Sequence, residues 1–326
     1  MKLHLTIILF ALTTVVAVAQ KQHFKDLTPV GGYYKNLQAI SPAPKSSNEE
    51  IDKSRFPFNP ESAARRLALK PYYLENITLE DFDIPAPPAN SSAQTRAEIN
   101  YLLQLQQQRT KIDVDASMYM AGVVYSLKAT PEDANYRAYR QNLFHIGRSV
   151  GTWFNSKDLP LTADFMAHVW QDASFFIWSA KYKYLRVRPY FIDSDVKNLE
   201  DASWAAYPSG HATNSYVNAF VYQELMPEFA HVFIKDAYDM AHSREIIGVH
   251  YPSDSEAGRV LARQIVNKLF ENEKFRRDFE LVKKEWAEKA VDHFVKPVLA
   301  NHAPVEQTTS CGTKKPEASA CAKTCE

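Results

Sequence analysis

The sequence predicts an all-α protein with a single helical-bundle domain and an irregular N-terminal arm. From about residue 95 onward, apolar residues recur every three or four positions, which is the spacing of one helix face. Few segments alternate apolar and polar residues as half-buried β-strands do. The chain has 326 residues, of which 45% are hydrophobic, and this is enough to bury a large core.

Residues 1–19 have the pattern of a signal peptide. Lys2 is followed by an apolar run over residues 5–16, and the Ala-Val-Ala sequence at 17–19 is a small-x-small cleavage site. A membrane anchor is the alternative, but the run is shorter than the roughly 18–20 residues that a spanning helix needs. We therefore expect a periplasmic or secreted protein without stable membrane insertion.

Residues 20–94 are predicted to form an irregular arm that packs on the core. Proline breaks any long helix in this part of the chain. Aromatic residues are interleaved with the prolines, whereas disordered linkers are usually poor in aromatics. The prolines are Pro42, Pro44, Pro57, Pro60, Pro85, Pro87 and Pro88, and the aromatic residues are Phe56, Phe58, Tyr72, Tyr73 and Phe82.

The helical domain is predicted over residues 95–300. A helix begins near Ile99 and continues, or is followed by another, over residues 118–127. Ser253 and Glu256 have the spacing of a capping box, which marks a helix start. Further helical segments are expected over residues 131–155, 161–187, 211–225, 228–248 and 253–269, with a charged amphipathic helix over 275–298.

Residues 301–326 lack aromatic residues and are predicted to be a disordered tail. All three cysteines, Cys311, Cys321 and Cys325, lie in this tail, so no disulfide framework holds the core. Their odd number is compatible with one disulfide and a spare thiol, with weak metal capture, or with incidental thiols.

The formal net charge is zero, with 38 basic and 38 acidic residues. Such a chain has no overall basic field that would hold nucleic acid or an anionic membrane surface. Any anion-binding site must therefore be local.

The first of three residue clusters that indicate such a site is Lys181, followed after six residues by Arg188-Pro189. On one continuous helix, residues seven positions apart share a face, and Pro189 would end that helix. Two cations on one face repel each other unless an anion lies between them. This spacing therefore favours anion binding.

The second cluster is Pro208-Ser209-Gly210-His211, a turn that leads into a predicted helix. Gly210 allows the backbone to approach a ligand closely. The N–H groups and the dipole at a helix start favour an anion.

The third cluster is Ser243-Arg244, then His250 after five residues and Asp254 after three more. Arg244 offers a planar fork that suits phosphate oxygens. A carboxylate four residues after His250 can accept the proton of one imidazole nitrogen and leave the other nitrogen as a nucleophile.

Each cluster alone has a plainer interpretation, as a solvated basic face, a surface turn or a structural histidine. We assign that structural role to the remaining candidates, His145, His168, His231 and His242. All three clusters in this order would arise by chance in fewer than about one in a hundred chains of this size and composition. We therefore interpret them together as one active site.

Together the clusters resemble the three-part signature of the phosphatidic acid phosphatase type 2/vanadium haloperoxidase superfamily. Within it, the chain is similar to the bacterial class A non-specific acid phosphatases over roughly residues 95–280, most closely at 179–191, 207–211 and 243–254. Ala212 departs from the usual class A pattern, in which a hydroxyl residue follows the histidine, so the subclass stays open.

The resemblance implies a role for each site residue. His250 would be the nucleophile, His211 the general acid and Asp254 the residue that orients the nucleophile. The phosphate-binding residues would be Lys181, Arg188, Ser209, Gly210 and Arg244.

The function that follows from the resemblance is that of a metal-independent acid phosphatase. It would hydrolyse small phosphate esters through a phosphohistidine intermediate, without a cofactor and without a nucleic-acid partner, and a homo-oligomer is compatible with the sequence. A soluble lipid-phosphate or pyrophosphate phosphatase is the main alternative. A vanadate-dependent haloperoxidase is less favoured because such enzymes are generally much longer, and a phosphate-binding module without activity would not need both histidines.

Overall fold

The structure, a computed structural model, describes residues 48–295, and it confirms the predicted all-α class: no β-strand occurs within this range. The expected signal peptide, the first part of the arm and the cysteine-containing tail lie outside the described residues. No described helix is both long enough and apolar enough to cross a membrane.

The helices are numbered in chain order. They are α1 (Glu49–Lys53), α2 (Pro60–Leu67), α3 (Ala93–Gln108), α4 (Lys111–Ala121), α5 (Tyr136–Asn142), α6 (Pro160–Tyr184), α7 (Pro189–Ile192), α8 (Gly210–Leu225), α9 (Ala230–Ile246), α10 (Pro252–Glu271) and α11 (Glu273–Ala290). Short 3₁₀ turns occur at Leu79–Asp81 and Pro227–Phe229, and a single π-helical turn spans Val291–Val295.

Helix α8 is the centre of the fold. It packs against α9 and α10, and less extensively against α6. Its 16 residues are all buried except Gly210, His211 and Asn214. A helix that is apolar or neutral on all sides can be enclosed in this way, provided that its polar groups find partners. Asn218 satisfies this condition because its amide accepts a hydrogen bond from the Trp170 indole at 2.8 Å.

Helix α10 lies close to the start of α8 because of Gly258. A Cβ atom at this position would lie 3.0 Å from the backbone oxygen of Ser209 and 3.0 Å from the hydroxyl of Thr213. Most side chains at this position would push the two helices apart. The missing side chain therefore fixes the distance between α10 and the start of α8.

The described part of the arm, from residue 48 to α3, runs over the surface of α6. Phe82 packs edge-on against Phe176, with 4.7 Å between the ring centroids. The backbone N–H groups of Tyr72 and Tyr73 donate to the carboxylate of Asp172. Burial raises the pKa of Asp172 to about 7. This part of the arm is thus tied to α6 by both apolar and polar contacts.

The segment predicted to be helical over residues 131–155 is helical only in α5, and turns follow it. Gly147 has a φ of 94°, in the left-handed region that other residues rarely adopt. Its N–H group donates to Asp236 on α9 at 2.8 Å instead of continuing a helix. Leu143 and Ile146 of this segment are buried from the turns that follow α5 rather than from a helix, whereas Tyr136 and Tyr139 lie on α5 and are half-buried.

Candidate active site

The prediction that Lys181 and Arg188 share one helix face is wrong. Helix α6 ends at Tyr184, and Leu185 adopts a left-handed conformation with a φ of 48°. Arg188 follows in extended backbone, as the residue that precedes α7. The turn after α6, not helical periodicity, therefore brings Arg188 to the site.

His250 and Asp254 contact each other as the spacing predicts. Nδ1 of His250 lies 3.0 Å from Oδ2 of Asp254. The same carboxylate oxygen accepts a 3.0 Å hydrogen bond from the backbone N–H of Tyr251, the residue that caps α10. The expected capping box of Ser253 and Glu256 is wrong, because α10 begins at Pro252 and Asp254 occupies its third position.

Two contacts fix the tautomer of His250. Nη1 of Arg188 lies 3.0 Å from Nε2, and a guanidinium has only N–H groups to donate. Nε2 therefore accepts, and the ring proton is on Nδ1, facing Asp254. Burial lowers the pKa of His250, and Arg188 lowers it further. The ring is thus neutral, with its lone pair on Nε2.

Arg188 is held by backbone oxygens on both sides of the site. Its Nη1 donates to the carbonyl of Val249 at 2.7 Å, and its Nε donates to the carbonyl of Trp204 at 3.0 Å. Burial lowers its pKa to about 10, which leaves it charged at neutral pH. The guanidinium is therefore a fixed positive charge beside Nε2 of His250.

His211 lies in the first turn of α8, after the N-cap residue Ser209. Its Nε2 is 3.2 Å from the carbonyl oxygen of Ala121 at the end of α4, so Nε2 carries a proton and donates it. Burial lowers the pKa of His211, and Arg244 adds to this effect. His211 is thus neutral at neutral pH unless an anion binds beside it.

Lys181 is fully buried, and its ammonium group holds the loop before α8. Nζ donates to the carbonyls of Ala205 at 2.7 Å, Ala206 at 3.1 Å and Pro208 at 2.7 Å. Three carbonyl acceptors around one nitrogen match the three N–H bonds of an ammonium group. Burial lowers the pKa of Lys181, and Arg188 acts in the same direction. Lys181 therefore shapes the turn that carries Ser209 and Gly210.

Arg244 has donors that are not used. Its Nη2 pairs with Glu200 at 2.7 Å. Its Nε and Nη1 are buried and have no hydrogen-bond partner among the described residues. Buried donors of this kind nearly always have a partner in native proteins, so they indicate a ligand position.

These side chains face one cavity of about 700 Å³. Six of the eight predicted site residues line it, namely Lys181, Arg188, Gly210, His211, Arg244 and His250. Asp254 lies behind His250, and Ser209 is buried as the N-cap of α8, so neither lines the cavity. The cavity also contacts all three residues of α8 that are not buried.

His145, which the sequence analysis treated as structural, lines the same cavity. Burial lowers its pKa to about 4. Its Nε2 has no hydrogen-bond partner within residues 48–295. His145 is therefore a neutral, polar part of the cavity wall.

A buried ion network behind the site was missed by sequence reasoning. Arg186 lies 2.6 Å from Oδ1 of Asp254 and 3.3 Å from Glu98 on α3. Glu98 also accepts hydrogen bonds from the N–H and the hydroxyl of Ser253 at the start of α10. Arg186 stands between two predicted site residues, but no spacing in the sequence links it to Glu98, 88 positions away.

The network fixes the charge of Asp254. Burial raises the pKa of Asp254, but Arg186, His250 and the N–H group of Tyr251 together outweigh burial and hold this pKa well below its usual value. Burial raises the pKa of Glu98, in spite of Arg186. Asp254 is thus a permanent anion that orients the His250 ring.

The arrangement can transfer a group that carries negative charge. It places a neutral imidazole nitrogen, a second imidazole and three buried basic side chains on one cavity. No group of three or more potential metal-binding side chains occurs among residues 48–295. These features match a nucleophile, an acid–base group and an anion-binding set.

Sequence comparisons identify relatives of the chain. No protein-family model matches it. A non-specific acid phosphatase from Providencia stuartii is 31% identical over 148 residues, which cover 44% of this chain and 60% of that protein. A non-specific acid phosphatase from Salmonella typhi is 28% identical over 57% of this chain and 71% of its own length.

Among solved structures, a bacterial vanadium-dependent iodoperoxidase matches 72% of this chain and 64% of its own chain, with a TM-score of 0.48 and 17% identity. In the sequence comparisons, the chain spans less than two thirds of the length of the Providencia protein and slightly more than two thirds of the length of the Salmonella protein. By sequence, the chain is similar to bacterial non-specific acid phosphatases over about half of its length.

Proposed function

We propose that the chain is an acid phosphatase that hydrolyses small phosphomonoesters through a phosphohistidine at His250. The observation that carries this proposal is the lone pair on Nε2 of His250, which faces a cavity rich in cations while Asp254 holds the opposite nitrogen. The homology to non-specific acid phosphatases supports the same reaction class.

Substrate binding begins with Arg188 and Arg244. The phosphate oxygens accept hydrogen bonds from the free Nε–H and Nη1–H of Arg244 and from the N–H groups at the start of α8. Arg188 keeps its Nε contact with the carbonyl of Trp204 but exchanges its contact with Nε2 of His250 for one with a phosphate oxygen, so the nucleophile becomes free when the substrate is in place. The buried cations then neutralise the phosphate charge without a divalent metal.

In the first chemical step, Nε2 of His250 attacks phosphorus, and the bond between phosphorus and the ester oxygen breaks. His211 donates a proton to the departing oxygen, which leaves as an alcohol. The bound phosphate raises the low pKa of His211, and a monoanionic substrate can supply the proton. Asp254 stabilises the positive charge that develops on the His250 ring.

In the second step, a water molecule replaces the alcohol. His211, now neutral, takes a proton from this water while its oxygen attacks phosphorus. The bond between Nε2 and phosphorus breaks, inorganic phosphate is released, and His250 returns to its neutral state. We also propose that the chain is exported, on the basis of the sequence of residues 1–19.

The experiment that tests this function is rapid-quench labelling with a ³²P-labelled aryl phosphate. Wild-type enzyme is expected to carry label during turnover and to release phosphate. The variant His250→Ala should carry none, whereas His231→Ala, which changes an exposed histidine on α9, should match wild type. Label that persists on the His250→Ala protein, or a wild type that never acquires label, would contradict the proposal.

A further inference from the structure

The cavity has a second set of cations at its mouth. Arg65 and Arg66 at the end of α2 line it together with Lys128, and all three side chains are exposed. The other basic residues that line the cavity, Lys181, Arg188 and Arg244, are buried. Glu200 is the single acidic residue among the described residues that line the cavity, and it is paired with Arg244.

The mouth cations lack acidic partners. No described carboxylate lies within ion-pair distance of Arg65, Arg66 or Lys128. Arg140, which also lies near the surface, does have such a partner, because it pairs with Asp164 at 2.5 Å. In a chain whose net charge is zero, three such cations on a cavity with a single acidic lining residue create a local positive charge. It favours an anionic ligand at the mouth.

Arg66 is held in position by two tryptophans. The guanidinium carbon lies 4.4 Å from the ring centroid of Trp178 and 5.5 Å from that of Trp204. The two indoles pack edge to face, with 5.6 Å between their centroids. Stacking uses the face of the guanidinium and leaves its N–H groups, which lie in the plane, available to donate. Because the side chain is already ordered, an anion loses little affinity to the ordering of Arg66.

The cavity is also larger than one phosphate group requires. Its volume of about 700 Å³ is within the range of pockets that bury whole drug-sized ligands. The buried cations suffice for the phosphate that reacts. The mouth cations therefore remain for another part of the same substrate.

We propose that Arg65, Arg66 and Lys128 bind a second anionic group of the substrate, so that the chain prefers small phosphate esters that carry two phosphate groups. The proposal rests on the proposed phosphatase function and names its substrate class. The mouth cations would hold one phosphate of a bisphosphate, and the buried cations would hold the other phosphate, which is cleaved at His250.

The test compares fructose 1,6-bisphosphate with fructose 6-phosphate as substrates of the full chain. Two reactive phosphates alone would give the bisphosphate an advantage of about twofold. The second anion site should raise its kcat/KM to about tenfold that of the monophosphate, mainly through KM, at low ionic strength. The variant Arg65→Gln/Arg66→Gln/Lys128→Gln should reduce this preference to about twofold and change the monophosphate kcat/KM by less than about threefold.

A charge-matched control is Lys70→Gln/Lys111→Gln/Lys235→Gln. These three lysines are exposed and do not line the cavity, and the variant loses the same charge. It should keep the wild-type preference. Retained hydrolysis of fructose 6-phosphate would show that both triple variants are folded.

Three results would overturn the inference: no preference in wild type beyond about twofold, an unchanged preference in the mouth variant, or an equal loss for both substrates in that variant. The proposed function would survive each of them, because the monophosphate is still hydrolysed. Failure of wild type to hydrolyse either ester would instead overturn the proposed function, and this inference with it.

Discussion

Nη1 of Arg188 lies 3.0 Å from Nε2 of His250, while Asp254 holds Nδ1 of the same ring at the same distance. The imidazole is therefore fixed between an anion and a cation. In the proposed mechanism, this cation covers the nitrogen that acts as the nucleophile, and it also binds the phosphate. Phosphate binding and exposure of the nucleophile would then be coupled through the side chain of Arg188.

The first prediction concerns Arg188→Gln. Arg188 contributes to the low pKa of His250, so its loss should raise that pKa. His250 must be neutral to attack, and activity is lost as the pH falls through its pKa. The acidic limb of the kcat/KM profile should therefore move to higher pH, and kcat/KM should fall about 10²–10³-fold. Kinetics with nitrophenyl phosphate across the acidic pH range measure both effects, and an acidic limb that does not move would contradict this reading of the contact.

The second prediction distinguishes two roles of Asp254, the orientation of the His250 ring and the stabilisation of the fold. Asp254→Asn removes the anion that fixes the His250 tautomer, and kcat should fall about 10²–10⁴-fold. Glu98→Gln removes the other carboxylate of Arg186 but leaves the contact of His250 with Asp254 intact. Each variant leaves a buried charge poorly compensated and should destabilise the fold by about 3–5 kcal/mol.

The measurements are urea unfolding and kcat for both variants. Similar losses of stability with a much larger loss of kcat in Asp254→Asn would support the assigned role. Equal losses of kcat would mean that Asp254 acts only by holding the fold together.

The third prediction concerns His211 and the pH optimum. Burial and Arg244 lower the pKa of His211, and burial and Arg188 lower that of His250. His211 must be protonated, so activity is lost as the pH rises through its pKa. His250 must be neutral, so activity is lost as the pH falls through its pKa. The kcat/KM profile should therefore be bell-shaped, with its maximum below the ordinary histidine pKa of about 6.5.

A variant tests the same assignment. His211→Ala should still form phosphohistidine from nitrophenyl phosphate, whose leaving group needs no proton, but should turn over slowly because no group activates water. A burst of nitrophenol followed by slow turnover is the expected trace. The absence of any burst from this variant would assign His211 to binding rather than to proton transfer.

The sequence predicted the helices well where periodicity continued and failed where a turn replaced it. Helix α6 was expected over residues 161–187 and occurs over Pro160–Tyr184. Its end depends on the left-handed conformation of Leu185, a residue type with no preference for it. For this reason the position of Arg188 could not be predicted from the sequence.

Local contacts of the site were accessible from the sequence, whereas distant ones were not. The pairing of His250 with Asp254 follows from a spacing of four at a helix start. The ion pairs of Arg186 join α3 to the start of α10 through the packing of the whole domain. Similarly, the tryptophans that hold Arg66 come from α6 and from the loop before α8.

The fourth prediction concerns metals and oxyanions. Fixed cations and helix N–H groups supply the charge that a metal would otherwise provide, so EDTA should leave kcat unchanged. Vanadate should inhibit about 10²-fold more tightly than phosphate, because it mimics the five-coordinate transition state. Inhibition constants for the two anions at one pH give the ratio. Loss of activity in EDTA that zinc or magnesium restores would contradict the metal-independent mechanism.

The fifth prediction links packing to the site through Gly258. In Gly258→Ala, the new Cβ would lie 3.0 Å from the backbone oxygen of Ser209, which cannot move without shifting the N-cap of α8. Overpacking of this kind costs about 1–3 kcal/mol and should also lower kcat, because His211 follows Ser209 in the first turn. Gly122→Ala is the matched control, since its Cβ would lie no closer than 3.4 Å to any neighbour. The thermal unfolding temperature and kcat should both fall in Gly258→Ala and hardly change in Gly122→Ala. A destabilised Gly258→Ala protein with full activity would mean that the distance between α10 and α8 does not position His211.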